Sequence, residues 1–291
     1  MKPLLAGLPK KLPDENEAIE EIEMAPPVNG VKLLVERGQL GFGTFAYSPD
    51  PAITEMIGAA GFDFVIIDTE HASLDRKDVE QLARAALAGG ATPFVRVRDQ
   101  DPQLVGQALD AGAAGVVIPH LKDAATAREM VRAASYPPQG TRGACTTSRA
   151  TGYATRPFAD YVAISDAQTW VIAQIEDPEG VSQVSQIAAA GVNALMPGPS
   201  DLAAAFGVPG QFLHPQVLEA VGRIVSAGDG AVPTFMYIND PSEASEWIAR
   251  GVRLLIYSID YKVTARAYLS AMQEFKRLAP LPAATHGAAN R

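Results

Sequence analysis

One unit recurs through most of this chain: a short β-rich run, a loop, and an amphipathic helix that stops at glycine. Eight runs have strand character: "GFGTFA" (41–46), "FDFVIID" (62–68), "PFVRV" (93–97), "GVVIPH" (115–120), "WVIAQIE" (170–176), "NALMPG" (193–198), "VPTFMYI" (232–238) and "RLLIYSI" (253–259). The segments between them carry helical spacing. In "DRKDVEQLARAALAGG", Val79, Leu82, Ala83, Ala86 and Leu87 share one helical face, and Gly89-Gly90 ends it. "GAAG" (58–61), "LDAG" (109–112), "IAAAG" (187–191) and "IARG" (248–251) stop helices the same way. Alternating strands and helices imply parallel pairing through right-handed crossovers. Eight such units in about 250 residues predict an α/β fold, the (β/α)8 TIM barrel. The competing arrangement is a doubly wound open sheet, but no G-x-G-x-x-G opens the first helix.

The ends differ from the middle. Residues 1–30 are rich in Pro and Glu and read as an N-terminal arm or tail, 31–278 as the barrel domain, and 279–291 as a C-terminal tail. At 291 residues and 47% hydrophobic, the chain can bury a large core. Its net charge of −9, with no basic run beyond "KK", argues against nucleic acid or an anionic membrane as partner. Cys145 is the only cysteine, which excludes an intrachain disulfide and a thiolate zinc site. No apolar run approaches the ~20 residues that span a bilayer. The acidic N-terminal stretch is unlike a secretory or transit signal, so a cytoplasmic location is expected. One segment breaks the repeat: residues 137–169 are too long and too polar for a simple connection, and read as a lid or contact element.

In a barrel, catalysis belongs where the strands end. The second strand ends in Asp68-Thr-Glu-His71, the third carries Arg96, the fourth ends in His120 and the fifth in Gln174-Ile-Glu176, and the sixth runs into "PGPSDL" with Asp201. Glu176 and Asp201 end consecutive strands. Two carboxylates without cysteine suit a hard divalent ion, Mg²⁺ or Mn²⁺, with Co²⁺ a further option. Glu176 could instead pair with a loop arginine, and Ser200 or Asp201 could cap "DLAAAFG". Arg96, costly to bury alone, could be a fixed ion pair or could hold a developing enolate oxygen. Asp68 lies close enough in sequence to orient the His71 imidazole as a general base. His120 is open between a site role and a structural one, and Glu70 has no assigned role. His214 and His286 read as bland. No strand contains a lysine for a Schiff base, and Lys262 reads as the start of the last helix.

"GFDFVIIDTEHA", "PFVRV", "LDAGAAGVVIPHL", "YPPQGTRG", "QIE" and "PGPSDLA" follow one another in that order. Together they resemble the HpcH/HpaI family of metal-dependent (class II) pyruvate aldolases, over roughly residues 38–278. The resemblance implies a (β/α)8 barrel, assembled as a homo-oligomer (a hexamer, or trimer of dimers) with the last helix on a neighbouring subunit. It implies Glu176 and Asp201 as metal ligands and Arg96 as the group polarising the ketone, with Gln174 beside it. The Asp68–His71 dyad would move the proton on the aldol hydroxyl. The backbone N–H groups of Gly198, Ser200 and Asp201 would receive the substrate carboxylate at a helix N-terminus, with Pro199 among the substrate-binding residues of the same turn. The substrates implied are a small-molecule oxo acid and an aldehyde, handled as 4-hydroxy-2-oxo acids through a pyruvate enolate. Two departures stand out. His120, where many members carry an apolar residue, is similar to the macrophomate-synthase branch and joins the expected substrate-binding residues, and the N-terminal arm is long. They keep open an oxaloacetate decarboxylase that couples the enolate to a second substrate. A non-catalytic oxoacid-binding protein is the minor alternative.

Overall fold

The computed structural model describes residues 29–228 and 232–278. Most of the expected N-terminal arm, and all of the expected tail 279–291, lie outside the described residues. All eight expected strands form, with their ends within three residues of expectation: β1 Gly41–Ala46, β2 Phe64–Asp68, β3 Thr92–Arg96, β4 Gly115–Ile118, β5 Trp170–Ile175, β6 Ala194–Pro197, β7 Phe235–Ile238 and β8 Leu254–Ile259. They pair in parallel in the order β6-β5-β4-β3-β2-β1-β8-β7. A parallel bridge between Leu195 and Thr234 joins the two ends, with the Leu195 N–H donating to the Pro233 carbonyl at 3.0 Å. The result is a (β/α)8 barrel.

Local chemistry explains the repeat. The glycines that close the helices, Gly61, Gly90, Gly112, Gly191 and Gly251, all have φ between 91° and 99°, a region costly for any side chain. At the other end of the units, Asp50, Asp101 and Asp240 precede proline and cap the next helix by accepting a backbone N–H two residues on. Asp177 also precedes a proline but makes no capping bond, because its side chain is engaged elsewhere.

Two cores result from the alternation along each strand. Outward residues such as Val65, Ile67, Val95 and Val116 pack under the helices, whereas Phe64, Ile66, Phe94, Trp170, Ile172 and Phe235 fill the barrel. Gly43 admits the Phe64 ring, which any Cβ there would overlap. A short helix, Gly30–Glu36, was not anticipated from the sequence, and its Val31 joins the barrel-filling cluster.

The 137–169 segment joins the helix Ala124–Ala134 to β5, so it leaves from the N-terminal end of the barrel. Tyr136, Ala150 and Tyr161 pack together there, and Arg142 is buried against the Tyr136 ring and pairs with Asp110 at 2.9 Å. It is a packed element on the face opposite the strand ends and not a lid.

Candidate active site

The same period of two that fills the barrel also builds its rim. Phe64 and Ile66 point inward, and so does Asp68; Phe94 is followed by Arg96; Trp170 and Ile172 are followed by Gln174 and Glu176. Four polar side chains therefore end up almost wholly buried in one layer. Arg96 is its centre. Its Nε donates to Asp68 Oδ1 at 2.9 Å and its Nη2 to Asp68 Oδ2 at 2.7 Å. Nη2 also donates to the Tyr47 hydroxyl at 3.2 Å, and Nη1 to Gln174 Oε1 at 3.4 Å. The guanidinium stands 4.7 Å from the centroid of the Phe45 ring. Gln174 Nε2 then donates to Glu176 Oε2, so a continuous line runs from Asp68 to Glu176.

Electrostatics follow from that line. Burial opposes the charge on Asp68, but the hydrogen bonds and charge of Arg96 outweigh it and hold the carboxyl below the usual range. Glu176 has no such cation. Burial pushes its carboxyl up to about 7, with the Asp201 charge adding to the effect and the His120 N–H opposing it. Burial also raises the Tyr47 hydroxyl, which stays protonated.

Not every expected contact is made. Asp68 and His71 do not meet: both Asp68 oxygens face Arg96, and Oδ1 also accepts the Glu70 N–H at 3.0 Å. The His71 imidazole is half exposed, and its carboxylate neighbour is Glu70 at 3.7 Å. The reason is local: β2 ends with Asp68 facing into the barrel opposite Arg96, and the chain then bends through residues 69–72 and carries the His71 ring away from it. Glu70, unassigned from the sequence, lies 3.2 Å from Arg96 Nε and 3.5 Å from His120 Nε2.

His120 turns into a left-handed conformation, φ 53°, which aims its N–H at Glu176 Oε1 at 2.9 Å. Its ring sits 3.1 Å from Asp177, the aspartate diverted from capping. Burial disfavours the imidazolium, but Glu176 and Asp177 together raise its pKa. Gly198 is the N-cap of the helix Pro199–Ala205, so neither Ser200 nor Asp201 caps it.

A cavity of about 210 Å³ opens above this layer. Of the expected site residues, His71, Arg96, Gln174, Gly198, Pro199, Ser200 and Asp201 line it, whereas Asp68, His120 and Glu176 do not. Tyr47, Tyr237, Asn239 and Lys262 also line it and were not expected. Tyr47 follows a strand with no ionisable residue, and Lys262 sits in the first helical turn after β8, so period and composition gave no reason to select either.

A family model described as HpcH/HpaI aldolase/citrate lyase matches residues 41–266. The chain belongs to that family. Among relatives of the HpcH/HpaI chain, the hydroxypyruvate/pyruvate aldolase of Paraburkholderia phytofirmans is 36% identical over 243 residues, covering 81% of this chain and 93% of that protein. An HpcH/HpaI aldolase/citrate lyase family protein from Burkholderia cenocepacia J2315 superposes with a TM-score of 0.81 at 34% identity, covering 86% of this chain and all of that one. Macrophomate synthase superposes with a TM-score of 0.74 at 28% identity, covering 86% of this chain and 88% of that one.

The HpcH/HpaI site also has the chemistry to hold a cation. Ligand atoms of Glu70, His120 and Glu176 lie within 4.8 Å of one another. Glu176 feels the charge of Asp201 and has only the His120 imidazole, 3.5 Å away, to offset it, and Gly198 leaves open the space that a Cβ would take from Glu176. A buried carboxylate pushed up towards neutrality beside a second carboxylate is a site that a divalent ion would relieve.

Proposed function

We propose that this HpcH/HpaI protein is a divalent-metal-dependent carbon–carbon lyase that cleaves or forms 4-hydroxy-2-oxo acids through a pyruvate enolate. The observation that carries this reading is the buried line Arg96–Gln174–Glu176 under a cavity bordered by Asp201. Glu176 and Asp201 would hold the ion, with Mg²⁺ or Mn²⁺ suiting the oxygen ligands. When bound, such an ion supplies Lewis-acid stabilisation of the enolate charge. The remaining work falls to the chain. Arg96, held rigid by Asp68 and Gln174, presents its guanidinium edge to the oxo oxygen. The Ser200 and Asp201 N–H groups, in the first turn of the helix, receive the carboxylate, since the Gly198 N–H donates to the Ile175 carbonyl at 3.0 Å and Pro199 has no N–H. His71, on the open side of the cavity, takes the proton from the aldol hydroxyl as the carbon–carbon bond breaks, and returns it in the reverse direction.

The test is exchange of the pyruvate methyl protons with deuterium, with and without a chelator. Metal-dependent exchange is expected, and its absence together with no turnover of oxaloacetate would overturn the enolate mechanism. One observation favours decarboxylation of oxaloacetate as a second reading. With Asp68 bound to Arg96, His71 has no carboxylate at hydrogen-bonding distance to sharpen it as a base, and decarboxylation requires none.

The assembly is a homo-oligomer in this reading. In the helix Asp260–Leu278 only Asp260 is buried, while Tyr268, Leu269, Met272, Phe275 and Leu278 are 52–74% exposed. A row of that size on one helical face requires a protein cover in water, and a second copy of the chain supplies it.

A further inference from the structure

Glu176 is held from two directions. Gln174 Nε2 donates to its Oε2, and the His120 N–H donates to its Oε1 at 2.9 Å. The second bond comes from the turn just past β4, where His120 takes φ 53°, uncommon for a residue with a side chain. Such a conformation persists only where neighbouring structure enforces it. The group that grips this turn is Gln100, on the loop after β3.

Gln100 is half-buried, and its Nε2 donates to the Pro119 carbonyl at 2.9 Å and to the His120 carbonyl at 2.7 Å. A side-chain amide nitrogen carries two hydrogens, and this one gives both to consecutive carbonyls. Each of those carbonyls belongs to a trans peptide group, which is planar and carries its N–H on the edge opposite the C=O. A bond on one edge therefore fixes the direction of the other.

The Pro119 carbonyl shares its peptide with the His120 N–H, the one aimed at Glu176 Oε1. The His120 carbonyl shares its peptide with the Leu121 N–H, which donates to the Gln174 carbonyl at 3.1 Å. Gln100 thus holds two successive peptides by their C=O edges while their N–H edges meet the end of β5. A bond to either carbonyl alone would tie the two loops together. Gripping both sets the rotation of the turn. The side chain does not line the cavity, so this effect is its only route to the site.

We infer that Gln100 is a positioning residue for the divalent ion: by setting the two peptide planes after β4 it fixes the Glu176 carboxylate, and with it the affinity of the site. The inference rests on the reading of Glu176 as a metal ligand. It goes beyond that reading by assigning a role to a residue outside the cavity. Removing a partner that orients a ligand commonly weakens metal binding roughly 10- to 100-fold.

The experiment measures Mn²⁺ binding to the full chain by calorimetry, and hydrogen exchange of the backbone over residues 117–122 by mass spectrometry. The proteins are the wild type, Gln100→Met and Asp101→Ala. Gln100→Met keeps the side-chain length and removes both donors. Asp101→Ala loosens the same loop by removing the cap of the helix Pro102–Asp110, but leaves the Pro119 and His120 carbonyls gripped. Gln100→Met is expected to weaken Mn²⁺ binding about tenfold and to speed exchange over 117–122, and Asp101→Ala to leave both as in the wild type. If Gln100→Met does not fold, Gln100→Asn, which draws the amide one methylene back from the carbonyls, carries the same expectation. A dissociation constant equal in the wild type and the Gln100 variant, or weakened as much in Asp101→Ala, would overturn the positioning role. A wild type that binds no Mn²⁺ is a different failure, which removes the metal reading and this inference with it.

Discussion

Arg96 and Asp68 stand directly opposite each other in the parallel register of β2 and β3, and two hydrogen bonds of 2.9 and 2.7 Å join their side chains. Register alone brings them together, since each is the last residue of its strand and each faces inward. The pair makes Arg96 a fixed donor, and it takes Asp68 out of reach of His71.

Removal of Arg96 leaves a fully buried carboxylate without its cation. Arg96→Met is expected to cost on the order of 3–5 kcal/mol in denaturant unfolding and at least a hundredfold in turnover. Arg96→Lys keeps the charge but loses the planar fork, so it should recover stability in part and activity little. Wild-type stability in Arg96→Met would show that the pair is not what holds Asp68.

The same pair sets an acid limit. Because the Asp68 carboxyl is depressed in the folded state, its contribution is full above the unfolded value of ~3.9 and fades as pH falls through the folded value. The stability gap between wild type and Asp68→Asn should therefore be largest near neutrality and shrink below about pH 4. A gap that stays constant down to pH 2 would contradict the depressed carboxyl.

His71→Ala separates two chemistries. Loss of a general base costs ~10²–10⁴-fold in the step that needs it, so retro-aldol cleavage should fall by that order while metal-dependent oxaloacetate decarboxylation persists. Equal loss of both would place His71 in enolate formation itself.

A methyl group at Gly198 collides with Glu176. Gly198→Ala should displace that carboxylate and weaken Mn²⁺ binding at least tenfold by calorimetry, with a smaller rise in melting temperature on adding the metal. In the wild type, chelation should lower the melting temperature and abolish turnover together. Unchanged affinity in Gly198→Ala would move the metal away from Glu176.

Two charges on the exposed row of the last helix test the assembly. Leu269→Glu with Phe275→Glu should shift the mass in light scattering to that of a monomer while the circular dichroism of the barrel is retained. An unaltered mass would assign that face to something other than self-association.

The fold was legible because it is written locally. Period-two strands and period-3.6 helices, five of them closed by a glycine, are short-range consequences of backbone sterics, and the strand recurs eight times between residues 41 and 278. The candidate rim was legible for the same reason: ionisable residues at the ends of buried strands are conspicuous against Val, Ile and Phe. The helix Gly30–Glu36 was missed because it is short, directly follows a Pro- and Glu-rich stretch and has only one buried anchor, Val31.

What remained hidden depended on contacts across the barrel. A spacing of three between Asp68 and His71 suggests a dyad, but strand register hands Asp68 to an arginine 28 residues away. Asp177 precedes a proline as Asp50, Asp101 and Asp240 do, yet its side chain is drawn to His120. Tyr47 and Lys262 carry no periodic signal and enter the cavity because closure of β1 against β8 brings their ends together. The sequence by itself determined which strands form and which residues reach the rim, because strand alternation is a property of the local backbone. Which rim residues touch was decided only by the register and closure of the barrel, because a charged side chain deprived of water takes the partner that the tertiary fold places within hydrogen-bonding reach.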